Sequence, residues 1–209
     1  MQHNEYVKAL EAWNLEDIVE HVENTHHAYL KANFPLIHRL IDKLRIAYPE
    51  KTEYHEIHEL FTEFTDDLAR HLIKEEEILF PYFKQLGKSA RDHSKVEPAI
   101  FGKLRKPIEI MENEHDSSHD IIDKIREITN NFIAKPEDDP VVHSLYFKFK
   151  EFDNDMHVHH EIENGLLFAI ASLYAGLKAD ITVSKYSALS IFINSSKWTE
   201  IELSFLKPW

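Results

Sequence analysis

The chain contains no cysteine, which removes disulfides, thiolate zinc sites, iron–sulfur ligation and cysteine nucleophiles from consideration. Glycine is scarce, with 4 in 209 residues, and proline modest at 8, so long uninterrupted elements are favoured over a loop-rich sheet. No run reaches the ~18 apolar residues of a membrane span. The N-terminal MQHNEYVKALEAW lacks the charged-then-apolar pattern of a signal segment, and a cytoplasmic protein is the expectation. Positive charge is in deficit: 24 Lys and Arg against 37 Asp and Glu give a formal net charge of −13. Neither nucleic acid nor an anionic membrane is an expected partner. The residue in excess is histidine, with 15 copies, and their placement carries the argument.

Apolar positions at helical spacing mark four long segments. Asn14 reads as an N-cap, with Glu16 and Asp17 in the first turn, where the helix dipole favours acids. Ile18, Val19, Val22, Leu30, Ile37, Ile41 and Leu44 carry this first helix to about Tyr48, kinked at Pro35 and closed by Pro49. Thr52 is the expected cap of a second helix ending at Gly87, with residues 88–97 a polar loop. Pro107 fits the first position of a third helix reaching about Ala134, and Pro140 opens a fourth that closes at Gly176. Four helices of roughly 25–38 residues with short connections imply an all-α, up-down-up-down four-helix bundle over residues 14–176. Residues 1–13 read as a polar lead-in. Residues 177–209, β-branched and aromatic with a turn signal at Asn194, read as a non-helical C-terminal tail, either a hairpin or irregular.

The stretch HLIKEEEILFP at 71–81 places His71 and Glu75 one helical turn apart, on the face that continues to Ile78 and Leu79. A histidine and an acid turned into a core are costly unless a partner takes up their lone pairs and charge. An isolated HxxxE in a histidine-rich chain reads more readily as a surface pair. This one has an echo: HHEIENGLLF at 159–168 repeats H-x-x-x-E-x-x-(I/L)-L-F, and ENTH at 23–26 recurs as ENEH at 112–115. His26 to His71 spans 45 residues and His115 to His159 spans 44. The expectation is two helix pairs, each supplying one histidine from its first helix and a histidine with a glutamate from its second. His26, His71, His115, His159, Glu75 and Glu163 then converge on one metal site. Two carboxylates can bridge two ions, and imidazole with carboxylate suits iron, manganese or zinc rather than calcium or magnesium.

His119 lies about 40° from the direction of His115 at ~100° per residue, and HxxxH on one face is a metal pair, so His119 joins the expected ligands. By the same arithmetic His27 and His160, adjacent to ligands, point about 100° away and are set aside. Glu114 and Asp155 are candidate acids for the outer imidazole nitrogens.

NTHHAYL at 24–30, HLIKEEEILFP at 71–81, MENEHD at 111–116 and HHEIENGLLF at 159–168 together resemble the hemerythrin-like (HHE) family, most closely its iron–sulfur cluster repair group. The resemblance covers about Trp13 to Ala171. It implies a four-helix bundle with two iron ions in an oxo- or hydroxo-bridged centre, for which manganese or zinc are substitutes. Glu75 and Glu163 would be the bridges, and His26, His71, His115 and His159 terminal ligands. It further implies protection or repair of iron–sulfur clusters under oxidative or nitrosative stress, with damaged iron–sulfur proteins as partners. The alternative it allows is a hemerythrin-type carrier or sensor of O2 or NO. Whether the chain is an enzyme is left open. Two departures matter: Tyr48 stands where the repair group has a second histidine of the first helix, and His119 where it has a small residue. His119 would restore five histidines, and Tyr48 is an alternative hydrogen-bond donor or ligand. The cysteine-bearing N-terminal domain of many repair proteins has no counterpart in the sequence.

Overall fold

A computed structural model of the chain describes residues 2–176, and every regular element among them is helical. α1 (Gln2–Leu10) precedes four long helical runs. The first joins α2 (Leu15–His21), a π-turn π1 (Val22–His27) and α3 (Ala28–Ala47). The second joins α4 (Thr52–Lys74), π2 (Glu75–Leu79) and α5 (Phe80–Asp92). The third is α6 (Arg105–Ile128), and the fourth joins α7 (Pro140–Ile162), π3 (Glu163–Leu167) and α8 (Phe168–Tyr174). The all-α helical-bundle class expected from the sequence is the class observed. The tail at 177–209 lies outside the described residues.

Local chemistry accounts for most boundaries. Asn14 caps α2, its side chain accepting from the Asp17 N–H at 2.9 Å. α3 runs through Pro35 and stops before Pro49. Gly176, at φ +71, closes the fourth run in the left-handed region where glycine is unpenalised.

Four expectations need correction. The lead-in is helical, because Val7 and Leu10 are buried and give α1 an apolar face. Thr52 is the first helical residue; the cap position belongs to Lys51, whose side chain makes no capping bond. The second run passes through Gly87 to Asp92 and ends on His93, at φ +57. Gly87 is instead a close-approach position: a Cβ there would stand 2.3 Å from Glu16 Oε2 and 3.1 Å from Leu15 Cβ. The third helix stops at Ile128 rather than near Ala134. Asn130, Asn131 and Phe132 all take positive φ, which doubles the chain back and buries Phe132. Asn tolerates this conformation; Phe132 is held there by packing, its ring 5.7 Å from that of Phe149.

The chain divides into two compact units. One, comprising Glu23–Glu77 and Met111–His157, is built around Phe61, Phe64, Phe149 and Phe152 with Leu30, Ile41, Leu68 and Ile125. Phe61 stacks on Phe64 at 5.8 Å and meets Phe149 and Phe152 edge-on at 5.5 and 5.9 Å. Arg126 ties α6 to α7 through both oxygens of Asp153, at 2.8 and 2.9 Å. The other unit takes residues 2–22, 78–110 and 158–176; its core includes Leu15, Ile18, Val19, Phe80, Phe83, Leu167 and Phe168.

Candidate metal centre

All three π-turns fall where the sequence places ligands. π1 holds His26 and His27, π2 begins at Glu75 and π3 begins at Glu163. A π-turn admits an extra residue and re-aims the side chains around it, and such turns concentrate at functional sites. One consequence is visible in π2: Leu79 is buried but Ile78 is 38% exposed, so the inward face expected for both is kept by only one.

In the unit made of Glu23–Glu77 and Met111–His157, four buried residues meet. His71 Nε2 lies 3.3 Å, and His27 Nε2 3.4 Å, from the same oxygen of Glu75, Oε2. His115 Nε2 lies 3.0 Å from His71 Nε2. All four side chains are buried, Glu75 completely. The ligand-capable atoms of His71, Glu75 and His115 lie within 4.8 Å of one another.

The outer ring nitrogens meet acids. His27 Nδ1 donates to Glu76 at 2.7 Å, His71 Nδ1 to Glu114 at 2.9 Å and His26 Nδ1 to Asp155 at 3.1 Å. Glu114 and Asp155 thus stand where the sequence suggested. The His71 hydrogen bond, opposed by burial and helped by Lys74, holds the Glu114 carboxyl down at about 2. Burial pushes Glu76 up, but Lys31 and His27 outweigh it and hold this carboxyl below its usual range. Both are acceptors at neutral pH, so each facing Nδ1 carries the hydrogen.

A neutral imidazole with its hydrogen on Nδ1 turns the Nε2 lone pair inward. At Glu75 that sets the imidazole lone pairs of His27 and His71 against a carboxylate oxygen, acceptor facing acceptor in a buried place. A cation between them stabilises such a contact. The 3.0 Å between His71 and His115 Nε2 suits adjacent ligands each ~2.1 Å from one ion. Imidazole with carboxylate is the donor set of iron, manganese or zinc. The residues fit a metal.

The other unit holds the second HxxxE. His159 Nε2 and Glu163 Oε1 are 2.9 Å apart, and both side chains are fully buried. His160 is also buried, its ring 5.2 Å from that of His159.

The first helix departs from the expected ligand set. The histidine beside Glu75 is His27, which helical-wheel arithmetic set aside; buried His26 faces Asp155. The arithmetic assumed an α-helical period across residues that form π1. The signal was the His26–His27 pair itself, one member of which had to be chosen. His119 is half-buried on α6, with its ring 4.6 Å from that of His157 on α7. It is not among the buried groups of metal-ligating geometry in the described residues. Tyr48 is also elsewhere: its hydroxyl donates to Asp139 Oδ2 at 2.7 Å, at the start of α7.

Comparison with known proteins agrees with this donor set. The family of the hemerythrin HHE cation binding domain matches residues 17–105. The iron–sulfur cluster repair proteins YtfE of Salmonella paratyphi B, Salmonella newport and Salmonella heidelberg are each 28% identical over 156 residues, 74% of this chain. The match spans 64% of the length of these relatives. Among the described residues no helix is long and apolar enough to cross a membrane. The HHE motifs, the buried imidazole–carboxylate cluster and these relatives agree: the chain is similar to the hemerythrin HHE cation binding domain over residues 17–105 and to iron–sulfur cluster repair proteins over 156 residues.

Proposed function

We propose that this chain is a cytoplasmic non-haem di-iron protein that protects or repairs iron–sulfur clusters under oxidative or nitrosative stress. The observation that carries the reading is Glu75: a fully buried carboxylate with the inward nitrogens of His27 and His71 at 3.4 and 3.3 Å. On the family resemblance Glu75 and Glu163 would hold two ions between them, with His27, His71, His115 and His159 as the imidazole ligands. The sequence echo between 71–80 and 159–168 supports pairing the two glutamates. His26 remains a candidate ligand through the nitrogen that does not face Asp155.

When bound, the di-iron group supplies reversible one-electron chemistry and sites for O2 or NO. The protein's part is to hold neutral imidazoles with their lone pairs inward and to keep bulk water from two carboxylates. Glu76, Glu114 and Asp155 retain the Nδ1 hydrogens of His27, His71 and His26. Damaged iron–sulfur proteins are the proposed partners, which the names of the relatives support. The gas-carrier reading drew on His119 as a fifth histidine. With the His119 ring against His157, the repair reading is preferred.

The deciding experiment measures iron after aerobic expression in iron-supplemented medium, then mixes the reduced protein with an oxidatively inactivated iron–sulfur enzyme. Two irons per chain and recovery of the damaged enzyme are expected. Fewer than about one iron per chain overturns the metal centre. Two irons with a stable, reversible O2 adduct and no recovery overturns repair in favour of gas binding.

A further inference from the structure

Two of the buried histidines share a device that the metal ligands alone do not explain. On the first helical run, His27 and Lys31 lie one turn apart and straddle a single glutamate of the second run. His27 Nδ1 is 2.7 Å from Glu76 Oε1, and Lys31 Nζ is 2.6 and 2.7 Å from the two oxygens of Glu76. The arrangement recurs on α4. His71 and Lys74 straddle Glu114 of α6, with His71 Nδ1 2.9 Å from Oε2 and Lys74 Nζ hydrogen-bonded to Oε1. In each case a carboxylate links a buried imidazole to a partly exposed ammonium.

The two carboxylates need this help. Glu76 and Glu114 retain 26% and 32% exposure, so water competes for them and their side chains have room to rotate outward. Asp155, which serves His26, is shorter, and only 20% exposed. A charge-assisted hydrogen bond from an ammonium is roughly twice as strong as a neutral one and fixes the acceptor's direction. An exposed Lys–Glu pair contributes little to stability, so stability alone does not account for its repetition behind two histidines.

We infer that Lys31 and Lys74 are positioning residues of the metal centre, each anchoring the glutamate that orients one inward-facing imidazole. This rests on the metal-centre reading above. Coulomb's law alone predicts the opposite sign for their removal. A lysine beside a cation site repels the cation, so deleting it should tighten metal binding. Deleting an anchor releases the carboxylate, loosens the ring and weakens binding; loss of an outer hydrogen-bond partner typically lowers metal affinity 10–100-fold.

The test measures cobalt(II) affinity of the full chain by competition with a chromophoric chelator, together with the ligand-field spectrum. Lys31→Met and Lys74→Met should each weaken binding by about tenfold and shift the spectrum, with Lys31→Arg and Lys74→Arg restoring both. Lys148→Met, which removes a surface pair with Glu151, is the control and should change neither. Thermal midpoints of the metal-free variants should stay near that of the unsubstituted chain. Unchanged or tighter cobalt binding in both methionine variants overturns the inference. If the unsubstituted chain takes up no cobalt, the metal-centre reading has failed instead. If Glu76→Gln and Glu114→Gln weaken binding while the lysine variants do not, the glutamates position the rings without the lysines.

Discussion

His27 Nε2 stands 3.4 Å from Glu75 Oε2, across a separation of 48 positions in the chain, and both side chains are fully buried. The contact depends on π1, which turns His27 to a side that an uninterrupted α-helix would have given to its neighbour.

The first prediction follows directly. On the proposed di-iron reading, His27→Ala should lose bound iron, from two ions per chain to one or none. His119→Ala should keep both, because the His119 ring packs on His157. Iron content and the charge-transfer absorption of the purified variants check this. Full occupancy in His27→Ala would return the ligand role to His26.

Gly87 tests packing between the first and second runs. Alanine there favours the helix by ~0.5–1 kcal/mol, but its Cβ meets Glu16 Oε2 at 2.3 Å and Leu15 Cβ at 3.1 Å. The Glu16 carboxylate can swing away, giving up its 2.6 Å bond to Arg91, whereas Leu15 can yield only a few tenths of an ångström. Gly87→Ala should therefore be near neutral in urea unfolding. Gly87→Leu should destabilise by ~1–3 kcal/mol through overpacking.

Tyr48 and Asp139 supply a pH test away from the metal ligands. The Val141 N–H and then the Tyr48 hydroxyl hold Asp139 below its ordinary 3.8, and the bond to Asp139 raises Tyr48 above 10. A depressed carboxyl adds stability above its unfolded value that is lost as pH falls through the folded one. A raised phenol adds stability below 10 that is lost as pH rises through its folded value. The stability difference between the unsubstituted chain and Tyr48→Phe should be flat from about pH 5 to 9. It should shrink at both extremes. Thermal melts across pH measure it, and a difference that grows on acidification would contradict the bond.

Phe61 joins three aromatic neighbours at the centre of one unit's core. Phe61→Ala should cost ~3–5 kcal/mol in equilibrium urea unfolding. Phe147→Ala, at a side chain 62% exposed, should stay within about 0.5 kcal/mol. Similar losses at both positions would mean that the aromatic cluster is not the core.

Much of the molecule was legible because its signals are local. Helical periodicity, Asn14, Pro49, Pro140 and Gly176 locate four helical runs through interactions within a few residues of each other. The two HxxxE motifs needed only i, i+4 geometry to pair a histidine with a glutamate, and the structure shows each pair at 3.3 and 2.9 Å. Glu114 and Asp155 could be suggested because an inward imidazole needs an acid for its outer nitrogen.

The exceptions share one cause. His27 against Glu75, His119 against His157, Tyr48 against Asp139, and the Lys31 and Lys74 anchors all depend on what faces a helix from across the fold. Helical periodicity gives a side chain's direction to within tens of degrees and says nothing of its partner. A π-turn shifts even that direction, and the turn that follows α6 after Ile128 is held by the core contact of Phe132 rather than by a local stop signal. The amino-acid sequence by itself determined the helices, the donor chemistry and the resemblance to hemerythrin-like proteins. Only the tertiary structure decided which histidine of an adjacent pair meets the carboxylate, because that choice rests on contacts between residues tens of positions apart.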